Sequence, residues 1–407
     1  MKRTRNMFLL FGVGIILLLV LYPFSDLCAQ QKAIPTKTLK VGCIMTLSGR
    51  GAGFGIPFSR TLIMQMEEYN KDGGINVGGE KYKIELIIED EQYTAEGARI
   101  AAEKLIHRDK VKFLLGPVSS SGTLLVNSIV EELKIIRLTV GNSPKTVGPQ
   151  NKYGFRPYIT VTERKPVMYK WIKDNLLNVK RIGCLGVDDE TGHVNVEAAK
   201  KWGETYGFQF CEPVFFPRGT ADFFPLTTKL LDMKPDYIDY GSAAVGEVGL
   251  QVKAGRQLGF KGYMSLDFPQ NLSEFIRIAG KENVEGFMFF DTLIAEARPS
   301  TKVFMEAYVA RWKDWDPYAI KFSVYLPILI ETLKKAGTVE DTTKVRDTME
   351  KMEFDTPMGR IRWSGAKTYG IAHQIFTPFG VTKVQNGELV GITVIPAERL
   401  LEVLGEK

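Results

Sequence analysis

The chain has 407 residues, enough for two domains with well-formed cores. Apolar residues make up 44% and charged residues 25%, and the formal charge is +6 with both signs interspersed along the chain. This mild basic excess excludes a nucleic-acid tract, because no Lys/Arg cluster is long enough to follow a phosphate backbone.

The first residues read as a secretory leader. Lys2, Arg3 and Arg5 form a basic head, residues 8–21 are an almost unbroken apolar run, and Pro23 and Ser25 break it. Ala29 then offers a small residue for cleavage, so residues 1–29 are expected to be a signal peptide. The run is short for a membrane span, and the alternative is a retained anchor. A lipid anchor at Cys28 is not expected, because Asp26 and Leu27 stand where an acylation signal wants small residues. The other cysteines, Cys43, Cys184 and Cys211, are spaced too widely for a zinc motif. Cys184 and Cys211 fall in consecutive predicted strands. They either form a disulfide in an oxidising compartment or are two small buried side chains.

After a polar stretch, residues 39–45 read as a strand that runs into the glycine loop Gly49, Gly51, Gly53, Gly55. Phe58, Leu62, Ile63, Met66 and Tyr69 recur at helical spacing, and Asp72-Gly73-Gly74 stops that helix. A strand over 82–89 follows, with Glu89-Asp90-Glu91 at its end, and then a helix over 94–108. Lys112 to Leu115 is a short buried strand leading through Gly116-Pro117-Val118-Ser119-Ser120-Ser121-Gly122 into another helix. A strand ending at a helix N-terminus, with hydroxyls in the turn, is an anion site in waiting. One helix cap needs one serine. Three serines and a glycine favour a ligand there.

A strand over 135–140 completes a β-α-β-α-β-α-β alternation, which predicts a parallel sheet with helices on both faces. Residues 141–157, rich in Gly, Pro and Asn, read as a crossing between lobes. The alternation then restarts, with helices expected over 163–177, 195–206, 222–233 and 245–258. Strands are expected over 181–187, 208–216, 235–240, 263–266 and 284–290. Three helices follow near 301–312, 320–335 and 342–352, and then a strand-rich tail over 354–395. Asn386-Gly387 marks a hairpin in that tail.

Catalytic and nucleotide signatures fail on spacing. The third glycine of a dinucleotide fingerprint would fall on Phe54, Ile56 or Phe58, and there is no phosphate-binding P-loop or nucleophile elbow. His107, His193 and His373 are far apart, and a surface role is expected for each. Asp188-Asp189-Glu190 is the only candidate for a catalytic acidic cluster, and it reads as a loop with helix-capping acids. No cofactor, metal or enzymatic activity is expected.

Several segments, taken in order, resemble one family. They are the Lys-Val-Gly first strand, Leu47-Ser48-Gly49 with Phe54-Gly55, and the helix end Tyr69-Asn70-Lys71-Asp72-Gly73-Gly74-Ile75. The serine run and Met358-Gly359-Arg360-Ile361-Arg362-Trp363 complete the set. The chain is similar to the periplasmic branched-chain amino-acid binding proteins, the type I solute-binding components of ABC importers. The resemblance implies an α/β fold of two doubly wound lobes joined by three crossover strands, closing on ligand by a hinge. The expected boundaries are 38–157 plus 290–356 for one lobe, 158–289 plus 357–395 for the other, and 396–407 as a tail.

The resemblance also implies a small-molecule ligand (an amino acid or related carboxylate), a membrane permease as partner, no nucleic acid, and a periplasmic location. Carried over residue by residue, Ser119, Ser120, Ser121, Val140 and Asn142 would hold the carboxylate and help with the ammonium. Asp267 would take the ammonium, and Phe54 would lie near the ligand side chain. Thr191 stands where relatives carry a Tyr, and Ser242-Ala243-Ala244 where they often keep an aromatic. These departures suit a differently shaped ligand, such as an aromatic or aliphatic acid or an amide. Asp267 has a second reading as a turn residue beside Pro269. Two rival readings remain: a ligand-sensing module presented to a receptor, and a secreted enzyme on this scaffold.

Overall fold

The computed structural model describes residues 36–49, 51–293 and 298–406, so the expected leader and Cys28 lie outside the described residues. Among the described residues no helix is long and apolar enough to cross a membrane.

The first lobe is built on a six-stranded sheet. Its strands are β1 (Thr36–Met45), β2 (Ile75–Val77), β3 (Glu80–Asp90), β4 (Phe113–Leu115), β5 (Ile136–Leu138) and β6 (Gly154–Phe155). Their order is β2-β3-β1-β4-β5-β6, and only the β2–β3 pair is antiparallel. Three helices connect them: α1 (Ala52–Asn70), α2 (Ala95–Glu103) and α3 (Ser120–Glu132). The central strands are apolar on both faces, which demands helices above and below. On one face Ala98, Ala102, Leu105, Val126 and Val130 pack on Ile44 and Leu114. On the other, Phe58 and Leu62 pack on Val41, Cys43 and Phe113.

The second lobe repeats the plan with β7 (Arg181–Val187), β8 (Gln209–Phe210), β9 (Val214–Phe216), β10 (Tyr237–Asp239), β11 (Tyr263–Leu266) and β12 (Met288–Phe290). Its helices include α4 (Val161–Asn175), α5 (Glu190–Thr205), α6 (Phe224–Leu231) and α7 (Val245–Gln257). The one strand expected over 208–216 is two short ones, because Cys211-Glu212-Pro213 interrupts it and both halves pair separately with β7. The helix expected from residue 195 begins at Glu190, because Asp189 caps it by accepting from Gly192 N.

After β12 the chain returns to the first lobe. Helices Ala319–Phe322 and Tyr325–Ala336 lie against α1, where Gln65 Nε2 donates to Ser323 O at 2.6 Å. A three-stranded antiparallel sheet of β13 (Glu353–Thr356), β14 (Gly359–Ser364) and β15 (Gln374–Ile375) follows, with Gln374 bridging to Arg156 at the first crossing. The hairpin β16 (Phe379–Gln385) and β17 (Glu388–Ile395) then completes the sheet of the second lobe, antiparallel to β12. A last helix, Ala397–Leu404, buries Leu400 against Ile172 and Val167 of α4. The fold is thus two α/β lobes with mixed sheets and chain crossovers, as in type I periplasmic binding proteins.

One expectation is corrected and one open choice is decided. His373 is not a surface residue: it is 1% exposed, shares hydrogen bonds with Gly154 O and Glu350 Oε1, and stacks on Phe155. Its ring fills the apolar junction beneath the crossing. Cys184 and Cys211 are both free and buried, so of the two readings open for them the structure has the unbonded one.

Candidate ligand-binding site

The same local device opens each lobe toward the cleft. Gly55 sits in the first turns of α1, where a Cβ would come within 2.1 Å of Thr46 O at the end of β1. Gly192 sits in α5, where a Cβ would come within 1.9 Å of Val187 O at the end of β7. Each glycine lets its helix seat directly on the strand end. The residue before it, Phe54 or Thr191, is thereby displayed to the space between the lobes.

That space is a small cavity of about 30 Å³. Its wall carries five aromatic rings: Phe54, Tyr93, Tyr158, Phe268 and Tyr318. Phe54 is the hub, with ring centroids 5.6 Å from Tyr93, 5.7 Å from Phe268 and 6.0 Å from Tyr318. Val118, Val140, Asn142, Thr191, Ser242 and Arg164 complete the wall. Arg164 is the only charged residue on it among the described residues.

Arg164 is 1% exposed. Its Nη1 donates to Tyr158 Oη at 3.1 Å and to Ile159 O at 2.9 Å, and its Nη2 donates to Asn142 Oδ1 at 2.7 Å. An Nη2 carries two N–H groups, so one remains for a ligand. Behind the cavity the guanidinium belongs to a buried cluster of Arg164, Lys165 and Lys321 with Asp239, Asp267 and Asp291. Lys165 Nζ lies 2.6 Å from Asp239 Oδ2, and Asp267 Oδ2 lies 3.4 Å from Lys165 Nζ and 3.5 Å from Arg164 Nε. Burial works against the charge on Arg164, but Tyr158, Asp267 and Asp291 outweigh it and hold its pKa above the ordinary value. Burial pushes Lys321 down and its partner Asp291 up.

Of the residues expected at the site, Phe54, Val140, Asn142 and Thr191 line the cavity. Ser119, Ser120, Ser121 and Asp267 do not. The reason at the serine run is internal. Glu91, fully buried, accepts from Val118 N at 3.0 Å, Ser119 N at 2.8 Å, Ser119 Oγ at 2.8 Å and Thr46 Oγ1 at 2.9 Å. The anion that the α3 N-terminus calls for is therefore supplied by the chain itself. Burial raises the Glu91 pKa to about 7 against these hydrogen bonds.

Ser119 caps α3 by accepting from Gly122 N, and Ser121 is half-buried in the first turn. Ser120 joins the lobes: its Oγ accepts from Thr191 Oγ1 at 3.0 Å and from Ser143 N at 3.1 Å. Asp267 Oδ2 meets Arg164, Lys165 and Asn195 Nδ2, while its Oδ1 is buried without a partner.

Further contacts shut the cleft. Ser143 Oγ donates to Glu190 Oε1 at 2.8 Å, and Lys145 Nζ lies 3.2 Å from the same oxygen. Arg218 lies over the Tyr93 ring at 4.4 Å while donating to Asp189 and Glu247. The acidic cluster 188–190 is thus engaged in capping and lobe-to-lobe contacts. Among the described residues no group of His, Cys, Asp and Glu could hold a metal ion.

Tyr93, Tyr158, Arg164, Tyr318 and Phe268 were not legible as site residues. One signal was present for Arg164. Arg164-Lys165 sits in the opening turns of α4, where the helix dipole disfavours cations, so some other demand holds the pair there.

Residues 38–388 match the periplasmic binding protein family. The chain belongs to that family. It is similar to the leucine-, isoleucine-, valine-, threonine- and alanine-binding protein of Pseudomonas aeruginosa, at 26% identity over 329 residues, 80% of this chain and 85% of that protein. Among solved structures it is similar to a leucine-binding protein from Thermotoga maritima, with TM-score 0.78, 23% identity, and coverage of 89% of this chain and 99% of that one. It is also similar to a solute-binding protein of an ABC transporter from R. palustris in complex with benzoate, with TM-score 0.77, 17% identity, and coverage of 88% and 97%. At these identities the structural likeness is one of fold. The periplasmic binding protein fold is that of a module that binds a small solute between two lobes.

Proposed function

We propose that this periplasmic binding protein captures a small ring-bearing carboxylate outside the cytoplasm and delivers it to the permease of an ABC importer. One observation carries the reading. The cavity wall combines five aromatic rings with a single charged group, and that group is a cation. Rings favour an apolar, flat body, and Arg164 favours an anion at its edge. An α-amino acid also needs an acceptor for its ammonium. Asp267, the residue expected for that task, is turned toward Arg164 and Lys165 instead. The benzoate complex of the R. palustris relative supports the same choice.

The amino-acid reading is kept as the second one, because the P. aeruginosa relative binds leucine, isoleucine, valine, threonine and alanine. A thermal-shift panel on residues 30–407, refolded to strip bound ligand, separates the two. A ligand that binds only the folded state raises the melting temperature. Benzoate-type acids are expected to shift it, and leucine, isoleucine and valine are not. A shift with the branched-chain amino acids alone overturns the ring-acid reading. The expected cleavage after Ala29 is checked by N-terminal sequencing of the secreted protein, and a retained leader would favour the receptor-bound sensor.

A further inference from the structure

We propose that Ser242 reads a ring hydroxyl on the ligand, so that the preferred solute is a hydroxy-substituted aromatic acid rather than the unsubstituted one. The inference rests on the reading of the cavity as a ring-carboxylate site. Ser242 lies on the turn between β10 and α7, is 2% exposed, and lines the cavity. Its Oγ has no hydrogen-bond partner in the protein.

The other polar side chains of the wall each make at least one hydrogen bond. Thr191 Oγ1 donates to Ser120 Oγ, and Tyr93 shares a hydrogen bond with Thr191. The hydroxyls of Tyr158 and Tyr318 pair with each other at 2.9 Å. Asn142 Oδ1 accepts from Arg164. Among the described residues, Ser242 Oγ is the one hydroxyl on the wall that makes no hydrogen bond within the protein.

A buried hydroxyl left without a partner is unfavourable, so a group that satisfies it gains selectivity over one that does not. No group of the turn hydrogen-bonds to Ser242 Oγ. Asp239 Oδ1 accepts from Gly241 N and Glu247 Oε2 from Ala244 N, while Glu247 Oε1 is also without a partner. Ala243 and Ala244 beside it are buried and apolar. The missing partner is neutral, because no second charge lines the cavity to balance an ionised group. A serine hydroxyl both donates and accepts, and so does a phenolic hydroxyl.

The test is calorimetric titration of the wild type and Ser242→Ala with benzoate, 3-hydroxybenzoate and 4-hydroxybenzoate. Ser242 Oγ makes no bond within the protein, so the variant loses none of its own hydrogen bonds. Wild type is expected to prefer at least one hydroxylated acid over benzoate by about three- to tenfold, the range of one neutral hydrogen bond. Ser242→Ala should erase that ratio, whatever it does to benzoate itself. Equal affinities in the wild type, or the same ratio in both proteins, overturns the role of Ser242 while leaving the cavity reading in place. Failure of all three acids in the wild type overturns the cavity reading and the inference with it.

Discussion

Replacing Arg164 separates its two tasks, holding the ligand and neutralising the buried cluster. In Arg164→Gln, a 1%-exposed cation is lost from beside Asp267 and Asp291, both fully buried. Removing one partner of a buried pair destabilises by about 3–5 kcal/mol. The same change removes the only cation on the cavity wall. Truncating one partner of a desolvated, hydrogen-bonded charge pair weakens binding by about 2–5 kcal/mol, or at least about 30-fold.

The two losses can be told apart with the double variant Arg164→Gln, Asp267→Asn. Neutralising Asp267 leaves Lys165 with Asp239 and Lys321 with Asp291, so the cluster is again balanced pair by pair. The asparagine can still accept from Asn195 Nδ2, which Asp267 Oδ2 meets at 3.1 Å. Urea unfolding should therefore show stability largely restored in the double variant. Titration with a benzoate-type acid should show affinity still lost. Wild-type affinity in a folded double variant would refute Arg164 as the carboxylate partner. Full stability in the single variant would refute the account of the cluster.

Three further outcomes follow from the same geometry. Glu91 and Asp316 are carried up to about 7 by burial, so between about pH 4 and pH 7 the folded chain binds protons that the unfolded chain has released. Their contribution to stability is full below that window and falls as pH rises through it. The melting temperature contributed by these groups should be higher at pH 5.5 than at pH 7.5, and Glu91→Gln should flatten the slope; a steeper slope in the variant speaks against the assignment. Phe54→Ala removes the ring that contacts Tyr93, Phe268 and Tyr318, and should lower stability by about 3 kcal/mol and ring-acid affinity by tenfold or more, read by urea midpoint and calorimetry. Cys43, Cys184 and Cys211 are free and buried, so a chain beginning after residue 29 should show three reactive thiols in denaturant and almost none when folded, by a colorimetric thiol assay.

Local pattern by itself determined the architecture. The apolar strands ending in small or acidic residues, the helical spacing of Phe58, Leu62 and Met66, and glycine stops such as Gly207 and Gly259 all act within a few residues of one another. They place the alternation of both lobes, while Phe54 and Thr191 were expected at the cleft only through the family resemblance. The occupancy of the α3 N-terminus was not legible, because Glu91 comes from the end of another strand and lies 28 residues from Ser119 in the chain. The fate of Asp267 was hidden for the same reason, since its partners Arg164 and Lys165 start a helix in a different part of the lobe. The aromatic cage draws on Phe54, Tyr93, Tyr158, Phe268 and Tyr318, which meet only when two sheets and a crossing converge. Propensity and periodicity report on neighbours along the chain. Whether a charge is free or already paired is decided by groups brought together from a distance, and only the tertiary structure shows that Arg164 faces the cavity while Asp267 does not.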